Sequence, residues 1–454
     1  MGHFPGGSFT LACLALTLCT EVNAQGSPSA AESKASTTLF KNVRIFNGRD
    51  AALSAPSNVL VRGNVIERIS AGAIEPGPST TIVAGGSRTL MPGLIDAHWH
   101  SLYAGIGFVT ALTGDVGYLN LVASKAAEAT LMSGLTTVRD MGGPAFGLKR
   151  AIDEGIVAGP RIFPSGAMIT QTSGHGDFRQ LNEIPREPNA PLNHMERSGG
   201  AAVADGVDEV LRRVREQFML GASQIKLTAG GGVASPHSPI DVSAFTDAEL
   251  RAAVGAADNW GTYVAVHAYT PRAIQAAIAA GVECIEHGHL MDETSAKMMS
   301  DKGIWLSTQP FVDEEPNPQL TPESQQKKLQ VTAGTDRTYE LAKKYRIKTA
   351  FGTDILFDPR SAARQGAQLA RLVRWYTPSE ALKQATGSNG ELLALSGLRS
   401  PYAGKLGVVE EGALADLLLV DGNPLDDIRV VEDPAKNFVV IMKDGKIYKN
   451  TVAR

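Results

Sequence analysis

His98 and His100 stand one residue apart at the end of an apolar run, Leu94-Ile95-Asp96-Ala97-His98-Trp99-His100. Residues two apart on a strand point to the same face, so two imidazoles so placed can meet one ion. A His-x-His pair alone is commonly incidental. Other apolar runs hold further residues of matching chemistry: Lys226 in QIKLTAG, His267 in YVAVHAY, His287 and His289 in CIEHGH, and Asp354 in TAFGTD. Five of the nine histidines thus fall at the ends of runs. Neutral imidazoles together with a carboxylate suit Zn²⁺, and also Mn²⁺, Co²⁺ or Fe²⁺, and a site with few protein ligands leaves room for water.

The elements that must carry these residues alternate. Eight short apolar runs, LIDAHWH, TTVRDMG, RIFPSG, QIKLTAG, YVAVHAY, CIEHGH, WLSTQP and TAFGTD, are separated by helical stretches such as VDEVLRRVREQFML and TDAELRAAVGAADNW. Thr246 with Glu249, and Thr377 with Glu380, have the spacing of capping boxes. Eight strand–helix units predict an α/β fold of the (β/α)₈ TIM-like barrel type over residues 92–399, with an open doubly wound sheet as the alternative. A barrel of this kind places its chemistry at the carboxyl ends of its strands, which is where the histidines fall. On both flanks, 38–91 and 400–454, β-branched runs and turn signals such as Asp444-Gly445 predict strands. Neither flank has enough strands to cover a core alone, so the two are expected to combine into one small β-sandwich.

The 454 residues are 43% hydrophobic, enough to bury a substantial core in more than one domain. A formal charge of −4 without long runs of one sign speaks against a nucleic-acid face or a basic membrane patch and favours a small-molecule ligand. Residues 1–24 read as a signal peptide, apolar from Phe9 to Cys19 and closing on Val22-Asn23-Ala24, although its start lacks Lys or Arg. Residues 25–37 read as a flexible linker. The apolar run is shorter than the roughly 20 residues a bilayer span needs, so a periplasmic or secreted protein, free of the membrane after cleavage, is expected. Lipidation at Cys19 is disfavoured by the bulky Leu18 before it. Cleavage after Ala24 would remove Cys13 and Cys19 and leave Cys284 alone, so neither an internal disulfide nor a Cys-rich zinc site is expected.

The constellation resembles the amidohydrolase superfamily, over nearly the whole mature chain. That pattern has His-x-His on the first barrel strand, a carboxylated lysine on the fourth, single histidines on the fifth and sixth, and aspartate on the eighth. The phrases LMPGLIDAHWH, TTVRDMGG, QIKLTAGGGV, VAVHAYT, CIEHGH, FGTD and GALADLLLVDGNPL are similar to the branch of Xaa-Pro dipeptidases, related carboxypeptidases and ochratoxin-cleaving amidohydrolases. The resemblance implies two divalent ions, with zinc favoured. His98, His100 and Asp354 would hold one, His267 and His287 the other, and a CO₂-derived carbamate on Lys226 would join them, since a free ammonium cannot ligate a cation. Two ions about 3.5 to 4 Å apart can share a hydroxide and polarise a carbonyl. Asp354 would take the proton of that hydroxide and deliver it to the leaving amine. The expected reaction is hydrolysis of an amide or dipeptide with release of its C-terminal amino acid, ochratoxin A included. A ring-opening amidohydrolase of the imidazolonepropionase kind and a non-catalytic ligand-binding barrel are the alternatives.

Further site residues are expected on the same ground. Tyr269, two after His267, would aim a phenol at a developing oxyanion. His289 would act as a catalytic or substrate-contacting neighbour of His287, and His175, in the SGHGDF loop, would bind substrate. Gly231 and Gly232 in TAGGGVAS would let the backbone approach a ligand closely. A phosphate loop is disfavoured, because no Gly-Lys-Ser/Thr ending follows. Long connections after the third and seventh runs suggest substrate walls, and Arg179, Arg186, Arg197 and Arg360 are candidate carboxylate partners. Relatives of this type imply a homo-oligomer of unspecified size.

Overall fold

The computed structural model describes residues 1–3, 36–186, 190–312 and 320–452. The expected leader, its cleavage point and most of the linker, residues 4–35, lie outside the described residues. Five strands open the described fold: β1 (Thr37–Ile45), β2 (Ser57–Arg62), β3 (Val65–Ser70), β4 (Thr80–Ala84) and β5 (Thr89–Pro92). The barrel strands follow: β6 (Leu94–Trp99), β7 (Leu135–Asp140), β8 (Arg161–Pro164), β9 (Met168–Thr170), β10 (Ala201–Val203), β11 (Ile225–Thr228), β12 (Val264–Ala268), β13 (Cys284–His287), β14 (Trp305–Thr308) and β15 (Lys348–Phe351). β16 (Leu417–Val420), β17 (Phe438–Lys443) and β18 (Lys446–Asn450) close it.

The two flanks share one mixed sheet of eight strands, in the order β18-β17-β16-β5-β1-β2-β3 with β4 beside β1. β16 runs antiparallel to β5, which joins the chain's two ends. β1 serves both halves. Its first residues pair with β2 and β4, the register breaks between Phe40 and Val43, and Arg44 and Ile45 then pair with β5. Side chains from both halves, among them Phe40, Val43, Val59, Leu90, Leu419 and Val440, enclose one apolar interior. The intervening residues of the same strands, Leu418, Phe438 and Ile441, turn the other way and pack on Leu94, Leu131 and Leu135 of the barrel. This alternation follows from the two-residue period of a strand buried on both faces, broken at the register shift of β17 against β16, which puts Phe438 and Val440 on different faces. Arg161 of β8 bonds Asp416 at 2.9 Å and Asp444 at 2.6 Å, a polar tie between barrel and sheet.

In the barrel the strands run parallel from β6 through β7 to β8 and from β9 through β11 to β15. The third barrel strand is in two pieces, a division the apolar pattern did not reveal. Pro164 ends β8, and Gly166 takes a left-handed turn (φ +74°) with Gln217 Oε1 lying where a Cβ would stand. β8 therefore pairs with β7, and β9 pairs with β11 and with the short β10. Closure between β15 and β6 uses side chains. The Asn389 amide donates to Ile95 O and Phe351 O, both at 2.7 Å, and accepts from Phe351 N at 3.0 Å. Around the strands, Ile274, Ala277 and Ile278 of the helix Pro271–Ala280 and Leu250 and Ala253 of Asp247–Trp260 join Val264, Val266 and Ile285 in the main apolar core. Both capping boxes form, at Thr246 with Glu249 and at Thr377 with Glu380. Among the described residues no helix is long and apolar enough to cross a membrane.

Candidate active site

The pleat of β6 and the turn after it bring His98 and His100 to the mouth of the barrel, with ring centroids 5.4 Å apart. Asp354 comes from the opposite side of the seam. Its backbone is held by Asp354 N donating to His98 O at 2.8 Å and takes a left-handed φ of 52°. Asp96 braces the same seam, accepting from His98 N at 2.9 Å and from the Thr353 hydroxyl at 2.6 Å. Burial pushes the Asp96 carboxyl up to about 7. Asp354 Oδ1 then lies 3.4 Å from His98 Nε2 and 3.1 Å from His100 Nε2. The ligand atoms of these three residues all fall within 4.8 Å of one another, a spacing that fits one ion.

His267 of β12 and His287 at the end of β13 face each other at 4.4 Å between centroids, and His287 lies 4.8 Å from His98. Strand alternation would send His287 away from the face of Glu286; its φ of 75° turns it back to the mouth. Lys226 of β11 lines the same cavity as these five side chains. It is buried, no hydrogen bond or ion pair is made by its Nζ among the described residues, and burial lowers its pKa to about 8.

One nitrogen of each imidazole is committed to a fixed acceptor. His98 Nδ1 donates to Glu286 Oε2 at 2.7 Å, His100 Nδ1 to Gly142 O at 2.9 Å, His267 Nε2 to Gly231 O at 2.8 Å and His287 Nδ1 to Gln309 Oε1 at 2.7 Å. In His98, His267 and His287 the other nitrogen is left with its lone pair, as metal ligation requires, while His100 Nε2 faces the Asp354 carboxylate at 3.1 Å. Burial holds His98, His267 and His287 well below the usual imidazole range and so keeps them neutral. Burial acts the same way on His100, but the Asp354 carboxylate outweighs it and lifts that pKa. The donor set therefore fits a divalent cation at His98, His100 and Asp354, with His267, His287 and Lys226 adjoining.

Of the other expected site residues, Tyr269 lines the cavity with its ring 4.6 Å from His267 and 5.2 Å from His287. His175 also lines it, 4.3 Å from the His267 ring, with Nδ1 2.9 Å from Ser235 Oγ. His289 does not line the cavity. Its Nε2 donates to Gln309 O at 3.0 Å and its ring stacks at 5.0 Å on Phe311, which does line it. Gly231 and Gly232 make room for protein: a Cβ at Gly231 would strike Pro239 O, and one at Gly232 the His175 ring. Arg179 is committed to Asp177 and Arg186 to Glu196, while Arg360 lines the cavity paired with Asp358. The inner-wall residues Glu286, Arg139, Gln309 and Asn389 were missed by the sequence reading. The one sequence signal for Glu286 and Arg139 is a charged residue inside an otherwise apolar run.

The cavity has a volume of about 400 Å³. Phe108, Phe178, Phe311 and Phe357 form apolar wall, and Lys328, Arg360, Arg364 and Arg371 make its cationic part. A model of the amidohydrolase family matches residues 89–452. Ochratoxinase of Aspergillus niger is 32% identical over 382 residues, covering 79% of this chain and 75% of that protein. The crystal structure of A. niger ochratoxinase superposes with a TM-score of 0.79 at 28% identity, over 92% of this chain and 96% of that one. A prolidase solved with N-methylphosphonate-L-proline superposes with a TM-score of 0.83 at 33% identity, over 92% and 100%. A Xaa-Pro dipeptidase with methionine bound in its active site gives 0.79 at 30% identity, over 91% and 100%.

Proposed function

This chain belongs to the amidohydrolase family, and on that premise we propose that it cleaves the amide bond of dipeptides and N-acyl amino acids, releasing the C-terminal amino acid. At the coarser level it is a metal-dependent hydrolase of C–N bonds with a His98/His100/Asp354 metal site. The observation that carries the finer reading is the place of Asp354. One carboxylate oxygen sits between His98 and His100, the other is 3.9 Å from His287 Nδ1, and the side chain, 15% exposed, borders the cavity. A carboxylate so placed can take a proton from attacking water and hand it to a leaving amine.

Two divalent ions, zinc on ligand type, would polarise the amide carbonyl and lower the pKa of water there. His98, His100 and Asp354 would hold one, and His267 and His287 the other. Lys226, reacting as the neutral amine with CO₂ and losing one proton, would become a carbamate and supply an anionic oxygen donor to the site. A buried amine without a partner is costly as an ammonium, and the carbamate would supply an anion beside His267 and His287, since the β13 carboxylate, Glu286, is committed to Arg139 and His98. Tyr269 would donate to the oxyanion as the carbonyl is attacked. His175 and the apolar wall would seat the acyl group, and the cationic rim would favour substrates with a free carboxylate. N-acyl amino acids with bulky aromatic acyl groups, ochratoxin A giving ochratoxin alpha and phenylalanine among them, match this cavity best. The relatives that bear on the choice are the ochratoxinase, the prolidase solved with N-methylphosphonate-L-proline and the Xaa-Pro dipeptidase with bound methionine. We further propose export by way of residues 1–24 and assembly as a homo-oligomer.

The test is a panel of dipeptides and N-acyl amino acids scored for released amino acid, with and without a chelator. Release from members of the panel, abolished by chelation and restored by zinc, is the expected result. Opening of a cyclic amide with no amino acid released from any member would overturn it.

A further inference from the structure

Beneath the metal-competent residues the barrel interior holds an ion pair that the chemistry above does not use. Arg139 of β7 and Glu286 of β13 are both fully buried, with Arg139 Nη2 2.6 Å from Glu286 Oε1. The guanidinium also reaches β6 and the residue before β12: its Nε donates to Ala97 O at 2.6 Å and its Nη1 to the Tyr263 hydroxyl at 3.0 Å. The second carboxylate oxygen accepts from His98 Nδ1 at 2.7 Å. Cys284 Sγ donates to Oε1 at 3.1 Å.

A desolvated pair of this kind contributes little to stability compared with well-packed apolar side chains, so stability alone is a poor reason for placing one in the middle of a barrel. Its geometry gives another. An ionised carboxylate only accepts, so His98 Nδ1 must carry the proton and Nε2 must be bare. Arg139 fixes the carboxylate, and through Ala97 O it also fixes the backbone that presents His98. We propose that Glu286, clamped by Arg139, is a positioning residue for the metal site, holding His98 in the Nδ1–H tautomer with its Nε2 lone pair turned toward Asp354 and His100. The inference rests on the His98/His100/Asp354 site and on no particular substrate.

The test reads zinc directly. The purified protein and its Glu286→Gln and Cys284→Ala variants are titrated against a competing chelator, with circular dichroism confirming that each is folded. Zinc affinity of Glu286→Gln is expected to fall about 10- to 100-fold, the range for losing the partner that orients a ligating histidine. Cys284→Ala removes another contact to the same carboxylate and is expected to keep its affinity within about twofold, an effect that small being at most the few tenths of a kcal/mol of ordinary rearrangement. A folded Glu286→Gln that binds zinc like the parent would overturn the proposal, as would an equal loss in Cys284→Ala. Should Glu286→Gln fail to fold, ¹⁵N spectra of the histidines in the unmodified protein decide. A protonated His98 Nδ1 supports the assignment, and a protonated Nε2 contradicts it. Because zinc partition is measured without turnover, loss of affinity in Glu286→Gln alongside a silent substrate panel would sink the substrate reading and leave this one standing.

Discussion

On the β6–β15 side, His98, His100 and Asp354 already gather nitrogen and oxygen within 4.8 Å, whereas on the β12–β13 side His267 and His287 face each other beside a buried lysine. The first group contains its own anion and is complete as a cation site. The second is two neutral imidazoles and a lysine, which as an ammonium would repel a cation. The two halves are equally well oriented, since every ring has one nitrogen anchored. What separates them is charge: one half is preorganised for an ion, and the other would acquire its affinity by the carboxylation proposed for Lys226.

The largest effect is expected where the halves meet. Asp354→Asn keeps the size of the side chain and removes its ability to shuttle a proton, so kcat/KM is expected to drop about 10²- to 10⁴-fold while some metal is retained. Parent-like turnover in this variant would remove Asp354 from the chemistry. Lys226→Met discriminates between the halves: bound zinc is expected to fall from two ions per chain to one, with the survivor at His98, His100 and Asp354. If two ions remain, the β12–β13 side needs no added anion and the contrast fails.

A smaller effect concerns the pH dependence of stability in the metal-free protein. Burial lowers His175 to about 3 and His289 to about 4, and holds His98, His267 and His287 well below 6.5. In the unfolded chain these rings titrate near their ordinary value, so below it the unfolded state binds more protons. Each contributes stability that is present above about pH 6.5 and is lost as pH falls toward its folded pKa, on the order of 1.4 kcal/mol per pH unit. Asp96, raised to about 7, Asp140, also raised by burial, and His100, lifted by the Asp354 carboxylate, act in the opposite sense, because the folded state takes up their protons first. Five imidazoles against these three groups predict a lower urea midpoint for chelator-treated protein at pH 4.5 than at pH 7, each pH being chosen to bracket the ordinary imidazole value of about 6.5. An equal or higher midpoint at the acid pH would contradict neutral, buried rings.

Much of this site is legible in the sequence because its residues lie in or at the ends of apolar runs: a barrel brings those runs side by side, with residues 98, 100, 267, 287 and 354 at or near run ends and Lys226 within one. The barrel strands are visible for the same reason, except the third, where Pro164 and Gly166 break the ladder inside one apolar stretch. Charge buried within a run is harder to interpret. Arg139 and Glu286 look like interruptions until the fold shows them paired across the interior. The glycines of TAGGGVAS mislead, since a sequence cannot tell whether close approach is to ligand or to protein, and here Pro239 and the His175 ring fill the space. His289 shares a motif with His287 but not its surface, because the left-handed turn at His287 separates them.

If these converging side chains grip divalent ions, amide cleavage must depend on them. The sharpest check is to count metal in the purified protein, strip it exhaustively with EDTA, and titrate zinc back while following release of amino acid from an N-acyl amino acid. Activity is expected to vanish on stripping and to recover to a plateau at two ions per chain. Undiminished cleavage by protein freed of metal would refute metal-dependent hydrolysis at this site.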